Sequence, residues 1–291
     1  MRLCHALGSA LVTAMVCSLS ATASDLVVNI DEFSVTRNGT LLFTDGFANG
    51  APPPSAPDFI GGTAPATYGV VGSFPPGSES GGKLILNTAN GALTGNAVTE
   101  PRRLVAAVLQ TSTDSTNFIQ GFKSDDTLAF TGIFDLTTPA GPLYAGYGLQ
   151  VGDFQLGAVQ QLAQLAVQYA PNAGTVRVSY LHQDFVADTI TSLGNAAFAP
   201  PAGADQIQLT IERPTTTGGF FGSFAYLSGG VLGASTSFGS AATLFQGEEF
   251  VRGRFFASVG LPVTPIPEPE TYAMMLAGLG LLGFIARRRQ K

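Results

Sequence analysis

The segment "QIQLTIER", residues 206–213, decides the fold. Three apolar residues, Ile207, Leu209 and Ile211, alternate with polar residues along its whole length. Since successive side chains of a β-strand point to opposite faces, the apolar set lines one face and the polar set lines the other. The segment therefore predicts a strand of an antiparallel sheet that has one buried and one wetted face.

The same signature recurs along most of the chain. In "TVRVSYL", Val176, Val178 and Tyr180 alternate with polar residues in the same way. Other segments are short, rich in β-branched or aromatic residues, and bounded by Gly, Pro, Asn or Asp. They are "LVVNI", "TLLF", "TYGVVGSF", "KLILN", "LVAAVLQ", "TLAFTGIF", "YAGYGLQV", "GFFGSFAYL" and "FVRGRFFASV". Together they predict an all-β domain over residues 24–260, an antiparallel β-sandwich of jelly-roll-like type.

The segment "GAVQQLAQLAVQYA", residues 157–170, allows two interpretations. Its apolar residues fit a helical stripe, which predicts one helix lying on the sandwich. Its second half, "LAVQYA", also reads as a strand, and the turn residues 171–174 lead straight into "TVRVSYL". We favour the strand, because the turn then closes a hairpin.

The amino terminus has the three parts of an export signal. Arg2 gives a positive start, residues 6–19 form an apolar run, and Ala21 and Ala23 supply the small residues that a signal peptidase requires. Residues 1–23 are therefore predicted to be a signal peptide that is cleaved after Ala23.

Both cysteines of the chain, Cys4 and Cys17, lie inside this signal peptide. A lipid anchor on Cys17 is the alternative, but Val16 stands where such a site needs a small residue. The mature protein is thus predicted to lack disulfides and any Cys-ligated metal.

The carboxyl terminus combines a stiff linker, an apolar segment and a basic end. The Pro-rich linker covers residues 261–271 and is followed by residues 272–286, which carry no charge. Arg287, Arg288, Arg289 and Lys291 come directly afterwards. Positive residues stay on the cytoplasmic side of a membrane, so residues 272–291 predict a hydrophobic transmembrane helix with the domain on the exported side.

Pro267, Glu268 and Pro269, the apolar stretch "AGLGLLG" and the terminal arginines stand in this order at the end of the chain. This tail resembles the PEP-CTERM sorting signal of Gram-negative bacteria. The resemblance implies processing by an exosortase, a membrane enzyme, near the Pro-Glu-Pro motif. It also implies transit past the periplasmic face of the inner membrane to the outer envelope or the exterior, in bacteria that make exopolysaccharide and biofilm. An ordinary membrane anchor is the alternative.

The predicted mature domain is acidic. Between residues 24 and 266, eighteen acidic residues outnumber nine basic ones, which leaves a net charge of −9 (9 − 18). The basic residues are also scattered rather than clustered. Such a surface repels phosphate backbones, so nucleic acid is not an expected partner.

The residues that could carry catalysis do not form a recognisable pattern. Glu248 and Glu249 are adjacent, so in a strand they would point to opposite faces and could not act together on one bond. His182 and Asp184 can share a face, but a metal site or a catalytic triad needs further partners. We therefore expect that the protein is not an enzyme.

Calcium is the one cation for which the sequence offers candidate ligands. Asp125, Asp126 and Asp153 are potential oxygen ligands in loops. They lack the 1, 3, 5 spacing of a calcium loop, which favours plain solvated turns. No cofactor is therefore expected.

The chain has no Trp, the usual stacking partner of sugar rings. The candidate substitutes are Tyr68, Tyr144, Tyr147, Tyr226, Phe220, Phe221 and Phe224. A weaker resemblance links "FTDGF", "YGLQVGDF", "QIQLTIERP" and "FVRGRFFAS" to concanavalin-like jelly-roll domains, which include lectins and glycanases. We expect a structural or exopolysaccharide-associated envelope protein without catalysis; a lectin-like module and a secreted glycan-active enzyme remain the alternatives.

Overall fold

The computed structural model describes residues 25–48, 66–69, 78–94, 102–111, 126–141, 143–152, 161–216, 219–241 and 252–261. Several predicted features lie outside these residues. They are the signal peptide, the sorting motif with its helix, Glu248, Glu249, Asp125, Asp153 and the side chain of Tyr68.

The described part of the chain consists of seventeen β-strands and one short 3-10 turn at Thr88–Asn90. The strands are β1 Val27–Arg37, β2 Thr40–Asp45, β3 Ala66–Gly69, β4 Ser78–Ser80, β5 Lys83–Asn87, β6 Ala92–Thr94, β7 Arg102–Thr111, β8 Leu128–Asp135, β9 Ala145–Gly152, β10 Gln161–Ala170, β11 Thr175–Asp184, β12 Thr189–Ala197, β13 Gln206–Arg213, β14 Phe220–Ser228, β15 Val231–Leu232, β16 Thr236–Ala241 and β17 Arg252–Gly260.

The strands form two sheets in which every pair is antiparallel. The nine-stranded sheet has the order β15-β14-β13-β8-β1-β5-β4, with β16 paired to β14 and β2 paired to β1. The eight-stranded sheet has the order β12-β11-β10-β9-β17-β7-β3, with β6 paired to β7. Buried side chains from both sheets form one shared hydrophobic core, which makes the fold a β-sandwich.

The alternation in residues 206–213 gives the strand that it predicts. Ile207, Leu209 and Ile211 of β13 are fully buried, while the residues between them are half-buried. Strand β13 pairs with β8 on one side and with β14 on the other, so it is an interior strand of the nine-stranded sheet. The prediction for Val178 and Tyr180 of β11 is confirmed in the same way, since both are fully buried.

Residues 161–170 are strand β10, so the helical interpretation of this segment is wrong. The strand pairs along its length with β9 and β11. The predicted turn follows at residues 171–174, where Gly174 has a φ of +63° and its N–H donates to the Ala170 carbonyl at 2.9 Å. Leu162 and Ala166 lie on the outer face of β10, yet both are buried. Apolar residues on both faces of the strand therefore produced a pattern that also fits a helical stripe.

Aromatic rings fill the space between the sheets. Phe255 of β17 contacts Phe33 edge-to-face, with ring centroids 4.5 Å apart. It also meets Phe134 at 5.9 Å and Phe47 at 6.4 Å. Edge-to-face pairs are a favourable arrangement of aromatic rings. Phe255 therefore links one sheet to three aromatic residues on the other side of the core.

Several aromatic rings of the core lie over a glycine of the opposite sheet. A Cβ built on Gly253 would stand 2.5 Å from the Phe130 ring, and one built on Gly222 would stand 2.7 Å from the Tyr180 ring. Such distances are too short for any Cβ, so these positions require glycine for close approach. The same arrangement occurs at Gly132 with Phe255 and at Gly194 with Phe238.

We expect Gly222→Ala to lower the free energy of unfolding by about 1–3 kcal/mol, because the new methyl group overpacks the Tyr180 ring. Gly46→Ala is the matched control, since nothing lies within 4 Å of a Cβ at that position. This control should change stability by about 0.5 kcal/mol or less. Equilibrium denaturation measures both variants, and equal effects at the two sites would contradict the prediction.

Candidate functional site

The outer face of strand β9 carries almost no side chains. Its inward residues Tyr147, Leu149 and Val151 pack into the core. The alternate positions, which point away from the core, are Gly146, Gly148, Gln150 and Gly152. Three glycines and one glutamine thus leave a trough along the middle of the eight-stranded sheet, and neighbouring side chains cover it so that every residue of β9 is buried.

A pocket of about 240 Å³ lies on this face. Its described polar lining comes from five strands and the residue before β9. These residues are Arg102, Tyr144, Gln150, Gln164, Gln183, Arg254 and Ser258. Apolar lining is provided by Leu104, Leu162, Phe185 and Phe256.

A row of hydrogen bonds crosses the pocket at Gln150. Arg254 of β17 and Gln164 of β10 stand directly opposite Gln150 on its two neighbouring strands. The Nε–H of Arg254 donates to Oε1 of Gln150, and Nε2 of Gln150 donates to Oε1 of Gln164 at 2.6 Å. The strand register therefore fixes the orientation of all three side chains.

Arg254 is a charged group in a largely dry setting. Arg254 is only 7 % exposed. Burial lowers the pKa of the Arg254 guanidinium to about 9, so the group is still protonated at neutral pH. The pocket consequently holds a positive charge that is oriented by a neutral amide.

Tyr144 and Arg102 form the other end of the pocket. The Arg102 guanidinium lies over the Tyr144 ring at 4.8 Å from its centroid. The Tyr144 hydroxyl occupies the space above Gly146, where a Cβ would be only 2.8 Å away. Burial raises the pKa of Tyr144, although the Arg102 charge and a hydrogen bond with Gln164 oppose the shift. The phenol is therefore neutral at physiological pH.

Two phenylalanines complete the site. Phe256 forms a small apolar cluster with Leu104, Ala106 and Ala166. Phe256 and Ala166 stand on either side of Gly148, and a Cβ built on this glycine would meet the Leu165 carbonyl and lie 2.9 Å from the Ala166 Cα, so the position requires glycine. Phe185, in the turn after β11, lines the same pocket and is 46 % exposed. The site thus has an apolar floor and an accessible aromatic ring at its rim.

Among the aromatic residues that the sequence offered for sugar stacking, the described lining of the pocket contains Tyr144. Tyr147 is fully buried, and its hydroxyl donates to the Thr137 carbonyl at 3.0 Å. Tyr226 accepts a hydrogen bond from the Ala199 N–H, and Phe221 is half-buried on the nine-stranded sheet. Phe220 and Phe224 are buried.

His182 and Asp184 do not form a reactive pair. The Asp184 carboxylate accepts the Val186 and Ala187 N–H groups and so closes the turn after β11. Nε2 of His182 is buried without a hydrogen-bond partner among the described residues, and burial lowers the pKa of this imidazole. The described part of the chain contains no cluster of His, Cys, Asp and Glu able to hold a metal ion.

Asp126, a possible calcium ligand by sequence, has a structural role. Its carboxylate accepts from Asn38 Nδ2 at 2.9 Å and pairs with Arg37 Nε at 3.3 Å. Its carbonyl accepts two hydrogen bonds from the buried Arg213 guanidinium, at 2.8 and 2.6 Å. The residue joins the β1–β2 turn to the end of β13.

The sequence patterns did not identify Gln150, Gln164, Arg254 and Phe185 as candidate site residues. A local signal for the first was present in "AGYGLQVG", where glycines alternate with large residues. Such alternation predicts a strand with one bulky and one nearly bare face. For Phe185, the signal was an aromatic residue directly after a turn-forming aspartate.

Comparison with known proteins adds information at one end of the chain. Residues 265–290 match the PEP-CTERM protein-sorting motif, and the match spans Pro267–Pro269 and Arg287–Arg289. The carboxyl terminus therefore carries a PEP-CTERM sorting motif, which supports export of the protein and implies processing by an exosortase. A comparison with curated proteins gives no match. Within the described residues no helix is long and apolar enough to cross a membrane.

We expect Gln150→Leu to lower the free energy of unfolding by about 2 kcal/mol, because the buried Arg254 charge then loses an acceptor. Gln208→Leu is the matched control, since Gln208 is half-buried on the outer face of the nine-stranded sheet. That variant should stay within about 0.5 kcal/mol of the original protein. Guanidinium denaturation compares the two, and an unchanged Gln150→Leu protein would count against the hydrogen-bond row.

Proposed function

We propose that this exported protein is a non-catalytic component of the bacterial envelope or extracellular matrix that binds exopolysaccharide. The observation that carries the proposal is the pocket over the glycine trough of β9. The resemblance of the body to concanavalin-like jelly rolls agrees with this assignment at the level of fold.

The chemistry of the lining suits a sugar. Hydroxyl groups both donate and accept hydrogen bonds, and the amides of Gln150, Gln164 and Gln183 do the same. Phe185 offers an accessible flat face at the rim. A few fixed polar groups beside apolar surface are typical of ligand sites.

The same lining supports binding rather than bond cleavage. Glycoside hydrolysis commonly uses two carboxyl groups that flank the scissile bond. The described lining residues supply amides, guanidiniums, a phenol and a hydroxyl instead. This is the reason for proposing a binding module instead of a glycan-active enzyme.

The sorting tail supplies the location for such binding. We propose that exosortase cleavage near Pro267–Pro269 separates the sandwich from the apolar segment, residues 272–286, and from the arginines. The released domain would then reside in the outer envelope or outside the cell, where exopolysaccharide accumulates.

Tail cleavage is tested by intact-mass analysis of the protein recovered from cells and medium. We expect Glu268→Ala to leave the tail attached, since the central carboxylate of the motif is lost. Glu270→Ala, which removes a carboxylate just outside the tripeptide, is the control and should be processed normally. Normal processing of both variants would contradict a role for the motif in cleavage.

Glycan binding is tested by co-sedimentation of the released protein with exopolysaccharide purified from the producing bacterium. We expect Phe185→Ala to weaken binding about fivefold to tenfold, with an unchanged melting temperature, because an exposed stacking face is lost. Val186→Ala is the control from the same turn, since Val186 is 78 % exposed and is not among the described lining residues. Equal binding by both variants would remove Phe185 from the site, and no binding by the unsubstituted protein would overturn the proposed function.

A further inference from the structure

We propose that two copies of the protein associate through strand β12, antiparallel to each other and around a two-fold axis that passes between Leu193 and Gly194. The starting observation is that β12 ends the eight-stranded sheet, so among the described strands it pairs with β11 alone. Six of its nine residues are exposed, and they belong to both faces of the strand. This edge of the sheet is therefore open to a partner.

The free edge of β12 lacks most of the features that keep sheet edges from pairing. Such features are short edge strands, lysines or other charged side chains, and proline. The other strands that end the described sheets, β3, β4 and β15, have four, three and two residues. Strand β12 has nine residues, "TITSLGNAA", without a charge or a proline. It therefore offers a long row of backbone donors and acceptors to a further strand.

A β-bulge interrupts β12 near its centre. Leu181 of β11 pairs with Ser192 of β12. Its neighbour Tyr180 pairs with Gly194, so Leu193 is an extra residue in β12. A bulge changes which residues of a strand point to each face, and it bends an edge so that a regular strand pairs poorly with it. A suitable partner strand must therefore carry a matching irregularity.

A second copy of β12 carries this irregularity at the matching position. Before the bulge Ile190 and Ser192 point away from the core, and after it Asn195 and Ala197 do, because they pair with the outward residues of β11. With the axis between residues 193 and 194, Ile190 stands opposite Ala197 of the second copy, and Ser192 stands opposite Asn195. Outward residues then meet outward residues along the strand. Moving the axis by half a residue or by one residue would set outward against inward residues.

The side chains that this pairing brings together are compatible. Ile190 is 67 % exposed and would be partly covered by Ala197 of the second copy. Nδ2 of Asn195 donates to Oγ of Ser192 at 3.1 Å within one chain, and the same two groups face each other between the copies. Since β12 is uncharged, the pairing sets no like charges directly opposite each other.

Charges at the two ends of β12 favour the antiparallel arrangement. Asp188 lies in the exposed turn before the strand. Arg177 of β11 stands beside Ala197, at the other end. Antiparallel pairing brings the acidic turn of each copy to the basic end of the other, whereas parallel pairing would bring the two acidic turns together.

The pairing joins two eight-stranded sheets edge to edge. Because outward residues meet outward residues, the pockets of both copies open on the same side of the joined sheet. On the proposed glycan function, one polysaccharide chain could then occupy two pockets, which raises its apparent affinity without new contacts. The pairing itself does not depend on that function.

The oligomeric state is measured by sedimentation velocity over a range of concentrations. The full-length gene is expressed, and the mature protein is purified from cells and medium. We expect dimers that dissociate on dilution, and we expect Ile190→Lys to weaken their association about tenfold or more, because lysines on an edge oppose pairing. Val231→Lys is the matched control, since Val231 is 72 % exposed on β15 of the other sheet, and it should leave association unchanged.

Cysteine cross-linking tests the register. Both natural cysteines lie in the predicted signal peptide, so an introduced cysteine is the sole thiol of the mature protein. An oxidised mixture of the Ile190→Cys and Ala197→Cys proteins should form a disulfide-linked dimer, because paired Cα atoms of neighbouring strands lie about 4.5–5.5 Å apart. Each variant alone should not cross-link, because its two cysteines would be about 20 Å apart along the paired strands.

The outcomes separate the pairing from the proposed function. A protein that stays monomeric at every concentration, or equal weakening by the two lysine variants, would overturn the pairing. A cross-link in either cysteine variant alone, or none in the mixture, would contradict the proposed axis. Intact dimers that bind no exopolysaccharide would overturn the proposed function and leave the pairing in place.

Discussion

The close approach of aromatic rings to glycines holds the two sheets in one relative position. Phe130 of the nine-stranded sheet lies against Gly253, and Tyr180 of the eight-stranded sheet lies against Gly222. Because rings enter from both sides, a shift of either sheet would bring a ring against a Cβ. Protein interiors are packed as densely as organic crystals, so the core has no free space in which to accommodate such a shift. The packing of the core thus depends on which aromatic residues of one sheet lie opposite glycines of the other sheet.

Strand β9 extends the same principle to the surface. Its large residues, Tyr147 and Leu149, point into the core, while glycines dominate its outer face. The strands on both sides then supply the walls, and Gln150 connects them by hydrogen bonds. The pocket is therefore a product of missing side chains on one strand and long polar side chains on its neighbours.

Local patterns predicted the elements but not the site. Alternation identified β13 and the β10–β11 hairpin, because one buried face imposes a period of two. The pocket depends on strand order instead: Arg254 and Gln150 are neighbours across two strands although 104 positions separate them in sequence. Composition also suggested Tyr147 as a surface aromatic, whereas its place in the alternation directs it inward. The sorting tail needed no fold at all, because its signal is contiguous in sequence.

The most direct measurement of the central claim is an NMR titration of the released protein with fragments of its exopolysaccharide. The side-chain amide signals of Gln150 and Gln164 report on the trough of the eight-stranded sheet, and that of Gln208 reports on the opposite outer face. We predict that the fragments shift the signals of Gln150 and Gln164 and leave Gln208 unchanged. Shifts confined to Gln208, or no shift in any of the three, would contradict the account.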